Sequence, residues 1–138
     1  MSFYKYTLLG NGEIPAAPIL EIKICSLDKS NFKTADCSAF LDTGSDCTLI
    51  PLTFLAKIQA RVASSLTNIQ VAGVGGKNVT VYPYYVSVVI DRYTIAFVKV
   101  YGCGIKDTQG IAILGRDVLN QLCIKFDGKK ETFTFLDN

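Results

Sequence analysis

The chain has 138 residues, 49% of them hydrophobic and 19% charged, with a net charge of +2. That is the composition of one globular domain, residues 1–138, large enough for a single core and unlike a disordered segment. No long basic run gives an electrostatic case for nucleic acid or an anionic membrane, and no apolar run approaches the roughly 20 residues that span a bilayer.

Residues 1–17 hold an aromatic cluster, Phe3, Tyr4 and Tyr6, then Gly10-Asn11-Gly12 as a turn, with Pro15 and Pro18 as breakers. The cluster reads as a terminal strand, which needs a partner either within the chain or across an oligomer interface. No basic start leads into a long apolar stretch, so no secretory signal is expected and the default location is the cytoplasm. Residues 18–25 alternate as a strand with one polar face, 28–31 form a turn, and 32–41 return as a second strand.

That strand ends at Asp42-Thr43-Gly44-Ser45, a small polar turn between two apolar runs, with a further short strand at 47–50. Gly44 permits a sharp reversal, so Asp42 is held where two strand ends meet. A carboxylate between apolar walls is costly unless hydrogen bonds or charges offset its desolvation. Two such carboxylates sharing a proton can activate a water. The tripeptide alone is also an ordinary turn sequence, since Asp, Thr and Gly all favour turns.

Pro51 stands where a helix can start, and Leu52, Leu55, Ile58 and Val62 recur at helical spacing, which predicts one amphipathic helix over 52–63 with a packing role. Residues 67–90 hold two β-rich runs, separated again at Pro83, around a cluster of Gly73, Gly75 and Gly76. They predict a long hairpin with a glycine-rich tip, whose peptide groups can approach a ligand closely. A phosphate-binding loop is excluded, because no Gly-Lys-Ser/Thr follows and no helix begins after the glycines. Asp91-Arg92 makes a turn into a strand over 93–101, and 102–109 is a polar loop. An apolar strand then ends at Gly115, a short helix carries Val118, Leu119 and Leu122, and strands at 123–126 and 132–136 flank an Asp127-Gly128 turn.

The five cysteines are odd in number, lack Cys-x-x-Cys spacing and mostly sit in apolar runs, which favours reduced core thiols. The chain has no histidine. Ser-His and Cys-His nucleophilic chemistry and the usual zinc ligands are thereby removed, no metal or other cofactor is expected, and hydrolysis would fall to carboxylates.

Three features stand in order: Leu41-Asp42-Thr43-Gly44-Ser45-Asp46, the tip Ala72-Gly73-Val74-Gly75-Gly76, and Ile113-Leu114-Gly115-Arg116-Asp117-Val118-Leu119. Together they resemble the retroviral-type aspartic proteases, the retropepsins and their cellular and bacterial relatives, over about residues 18–126. The resemblance implies an all-β fold, a closed β-barrel with a flap hairpin and one or two short helices, assembling as a two-fold homodimer. It implies that Asp42 is the catalytic aspartate, that the Thr43 hydroxyl bonds across the dimer axis, and that Gly44 lies close to bound substrate. It implies that Asp46 and Arg116 form an intrachain ion pair and that residues 72–76 cover an extended peptide or protein substrate. Ser45 stands where retroviral enzymes usually have Ala. A hydroxyl there donating to the Asp42 carboxylate implies a more acidic pH optimum. The same fold without catalysis, as a dimerisation or peptide-binding module, is the alternative. A small structural barrel in which Asp42 merely caps a turn would leave the other two features unexplained as a set. The helix at 52–63 and the hairpin after Asp127 leave open which segments form the dimer contact, which the family often builds from chain termini.

Overall fold

In the computed structural model, which describes residues 2–63, 69–72 and 78–137, side-chain alternation sets the two faces of the central strands. In β4 (Ile19–Cys25) Leu20, Ile22 and Ile24 are buried while Glu21 and Lys23 face outward. In β5 (Thr34–Leu41) Ala35, Cys37, Ala39 and Leu41 take the same inner side. These residues join Ile50, Leu55, Ile58, Val86, Val88, Ile90, Val100, Leu114 and Val118 in one continuous core.

Around that core run β6 (Leu49–Pro51), α1 (Leu52–Lys57), β7 (Arg61–Val62), β8 (Ile69–Ala72), β9 (Asn78–Ile90), β10 (Tyr93–Cys103), β11 (Ala112–Leu114) and α2 (Arg116–Leu119). Successive pairings lead from β10 through β6, β11, β5, β4 and β9 back to β10, with β7 and β8 on β9. Most neighbours are antiparallel. The exceptions matter for the site: β11 runs parallel to β5, and β10 parallel to β6. A separate two-stranded hairpin, β2 (Thr7–Leu9) and β3 (Ile14–Ala17), precedes β4. Pro15 lies inside β3, where a two-stranded hairpin spares it a ladder on both sides.

The terminal strand finds its partner within the chain. β1 (Ser2–Lys5) pairs with β13 (Thr132–Leu136), which pairs with β12 (Cys123–Asp127), giving a three-stranded antiparallel sheet. Its inner face is aromatic: Phe133 and Phe135 are fully buried and meet Tyr4, Tyr6 and Tyr93.

Two sequence expectations are corrected. The helix predicted over 52–63 stops at Lys57, because Gln59 takes a left-handed φ of 50° and turns the chain out, so that Arg61 and Val62 become strand β7 against β9. The break expected at Pro83 is absent, and β9 runs through it for 13 residues. The Pro83 carbonyl accepts from the Ala63 N–H at 3.1 Å, so this residue turns its main chain toward the short β7 side. The missing N–H therefore leaves the β9–β10 ladder whole. The arms of the glycine-rich hairpin, β8 and β9, pair in register from Ile69↔Val81 to Ala72↔Asn78. Gly73, Val74, Gly75 and Gly76 lie outside the described residues.

Candidate active site

β5 carries the chain to Asp42 and β11 lies parallel beside it, so the residue that follows β5 meets the last residue of β11: the Asp42 N–H donates to the Leu114 carbonyl at 3.0 Å. The turn then closes on itself. The Gly44 N–H donates to the Asp42 carboxylate at 2.9 Å, and the Ser45 N–H to the Asp42 carbonyl at 3.2 Å. Asp42 is half-buried, whereas Thr43 and Gly44 are exposed. A fixed carboxylate thus stands beside open main chain, with space for a ligand to approach.

The start of α2 fastens this turn from the other side. The Arg116 N–H donates to the Ser45 carbonyl at 2.9 Å, and its guanidinium donates to the Thr43 carbonyl at 2.7 Å while pairing with Asp46. The Arg116 and Asp46 side chains are solvent-exposed, so the ionic contact by itself is weak and the bond to the main chain of Thr43 carries more of the positioning. The fit is tight. A Cβ on Gly115 would fall 2.3 Å from the Cys47 carbonyl oxygen, so only glycine lets α2 pass this close to the turn.

Behind both elements lies a polar cluster to which the sequence assigned no role. The Thr48 hydroxyl donates to Asp117 at 2.7 Å and accepts from the Gly115 N–H at 3.1 Å, while the Thr48 N–H donates to the second Asp117 oxygen at 3.1 Å. The signal available beforehand was a polar residue at 48 inside an apolar run.

Ser45 is placed differently from its sequence expectation. Its hydroxyl donates to the Cys47 carbonyl at 2.7 Å and not to the Asp42 carboxylate. Its single proton is used in the turn, which removes the basis for an unusually acidic optimum. Burial pushes the nearby Cys47 thiol up, and the negative charges of Asp117 and Asp46 add to that, which favours its protonated form.

Asp42 also lines a pocket of about 300 Å³. Leu9, Ile19, Phe40, Ile111 and Ile113 give its apolar wall, and Thr108 and Gln109 add polar groups. Leu9 and the 108–111 loop are distant in sequence and reach the pocket through the β2–β3 hairpin and the entry to β11.

No protein-family model matches the sequence, and no curated protein matches it significantly. Solved structures do. A retropepsin-like aspartic protease from Rickettsia conorii superposes with a TM-score of 0.63 at 17% identity, over 97% of this chain and 89% of that one. EIAV protease, in complex with the inhibitor HBY-793, superposes with a TM-score of 0.58 at 22% identity, over 79% of this chain and 90% of that one. The chain therefore has the fold of the retropepsin-like aspartic proteases.

Proposed function

We propose that the chain is one subunit of a homodimeric aspartic endopeptidase, in which Asp42 of each copy supplies half of the catalytic dyad. The observation that carries this reading is Asp42 itself. It is a half-buried carboxylate on a turn fastened by α2, lining a largely apolar pocket, in a fold shared with aspartic proteases.

The chain has a single Asp-Thr-Gly, so a dyad requires two copies related by a two-fold axis. Two carboxylates held close cannot both ionise easily and share one proton. The ionised one takes a proton from a bound water as that water attacks the scissile carbonyl carbon. The protonated one donates to the carbonyl oxygen as the tetrahedral species forms. Collapse returns the proton to the departing amine, with no covalent intermediate. In this reading the Thr43 hydroxyl bonds across the axis, Gly44 offers its open main chain to substrate, and Ala72, Gly73, Val74, Gly75 and Gly76 supply peptide groups to the backbone of an extended peptide. The pocket beside Asp42 takes an apolar side chain.

The test is cleavage of a mixed peptide library at several pH values by wild type and Asp42→Asn, with the mass of both measured by light scattering. Cleavage by a dimer, lost by at least about a thousandfold in Asp42→Asn, is expected for a residue that carries the proton transfers. Cleavage that survives the substitution rejects the mechanism. A dimer that binds peptides without cutting them establishes the peptide-binding module instead.

A further inference from the structure

The outer face of β7, β9 and β10 gathers side chains that the Asp42 site does not use. Tyr85 pairs with Arg61 on one side and with Lys99 on the other, and directly opposite residues share a face. With neighbouring strands about 4.8 Å apart, the backbones that carry the two cations are roughly 10 Å apart, with the tyrosine between them. Pro83 and Tyr101 form the next row, and the Lys99 ammonium lies 6.0 Å from the Tyr101 ring. Phe97 stands on the far side of Lys99. β10 bulges between Ile95 and Val98, and inside the bulge Phe97 takes a left-handed φ of 58°. That conformation is costly for any residue with a Cβ and is usually left to glycine. Here it sets a phenyl ring against Tyr85, with centroids 4.9 Å apart, and leaves Phe97 60% exposed.

The face also carries one sign of charge. β7, β8, β9 and β10 contain no Asp or Glu. Among the described residues neither Arg61 nor Lys99 forms an ion pair with a carboxylate. Asp28 lies within reach of the Arg61 charge, but its carboxylate is taken up by Ser30, whose N–H and hydroxyl donate to it at 3.0 and 2.7 Å. We propose that this face binds single-stranded nucleic acid: a base stacks on the open side of Phe97, which Tyr85 backs, and phosphates meet Arg61 and Lys99. A duplex keeps its bases stacked on one another and offers none to Phe97, so the strand has to be single. An acidic peptide satisfies the cations and leaves the ring without a flat partner, whereas a nucleotide serves both. The sequence has no basic run because the two cations sit on different strands and meet only across Tyr85. Nothing in this row selects a sugar, so DNA and RNA strands bind alike.

The experiment is fluorescence anisotropy of a labelled oligothymidylate of about ten nucleotides, titrated with the full chain. Saturable binding at low salt is expected, with oligouridylate bound equally well and the oligothymidylate in duplex form bound at least about tenfold more weakly. Two phosphate contacts give a slope of about −1.4 for the logarithm of the association constant against that of salt, and Arg61→Ser or Lys99→Ser each reduces its size by about 0.7. Phe97→Ser truncates an exposed side chain and is expected to weaken binding about tenfold at an unchanged salt slope. Lys125→Ser removes the same charge from an exposed position on the terminal sheet and is expected to leave binding as it is. No binding at low salt, a duplex bound as tightly as the single strand, or wild-type affinity in Phe97→Ser each overturns the proposal. So does a loss in Lys125→Ser equal to that in Lys99→Ser, which would trace the attraction to the charge of the whole molecule. Polyglutamate that competes as well as the oligonucleotide, charge for charge, would make the face a site for acidic peptides instead.

Discussion

Thr48 is fully buried, yet every polar group it owns is used. Its hydroxyl both donates and accepts, its N–H meets Asp117, and its carbonyl accepts from the Tyr101 N–H at 2.9 Å. One residue thereby ties β6, β10 and the start of α2 beneath the Asp42 turn. Thr48→Val keeps the shape but leaves the buried Gly115 N–H without an acceptor and removes a donor from Asp117. Loss of about 2 kcal/mol of stability is expected, the cost of an unsatisfied buried group. Urea unfolding reads it, and an unchanged midpoint would show the cluster to be dispensable. Thr48→Ser restores the hydroxyl and should recover most of the loss. Asp42, Thr43, Gly44, Asp46 and Arg116 were legible in the sequence because short motifs carry them. Thr48 and Asp117 were not, since their partnership spans 69 positions and follows from the pairing of β6 with β11, Leu49 opposite Ile113, which brings Thr48 to the start of α2.

At the scale of elements, alternation made most of the strands readable, and where it failed a backbone conformation had overridden the pattern. Leu52, Leu55, Ile58 and Val62 keep helical spacing, but the helix closes in a Schellman turn. The Gln59 N–H bonds the Ala56 carbonyl at 3.1 Å and the Ala60 N–H the Leu55 carbonyl at 3.0 Å, with Gln59 in the left-handed position usually given to glycine. A glutamine there hides the stop signal and bears a conformational cost of roughly 1–2 kcal/mol. Gln59→Gly relieves it while giving up an exposed side-chain bond from Asn31 at 3.1 Å. A net gain of about 1 kcal/mol, or about 3 °C in Tm, is expected. Calorimetry with an equal or lower Tm would show that Gln59 is not strained.

The whole molecule is a main sheet system with a terminal sheet clamped to it, and the clamp is chemical as well as apolar. Sequence reading found the strands on both sides but not the joint, because residues 91–93 of the β9–β10 turn meet partners 43 to 87 positions away, near either end of the chain. The Tyr4 hydroxyl donates to Asp91 at 2.6 Å, Arg92 pairs with Asp137, and the Tyr93 hydroxyl donates to the Leu136 carbonyl at 3.0 Å. The bond to Asp91 pushes the Tyr4 phenol up to about 12 from 10.0, with burial and the Asp91 charge adding to it. Burial works to raise the Asp91 carboxyl, but the Tyr4 and Ser2 hydroxyls and Arg92 outweigh it and hold it below the usual range. The signs give two windows. Tyr4 keeps its proton more tightly in the folded chain, so its contribution is complete below pH 10.0 and is lost as pH rises toward about 12. Asp91 contributes above its unfolded value and loses that contribution as pH falls through its depressed one. Tyr4→Phe deletes the alkaline term while keeping the ring against Phe133. The stability advantage of wild type over Tyr4→Phe should therefore be constant near neutrality and shrink between pH 10 and about 12. Paired urea titrations across that range measure it. An advantage that stays level would mean that the phenol and Asp91 do not hold the two sheets together, and that the apolar face of Phe133 and Phe135 does so alone.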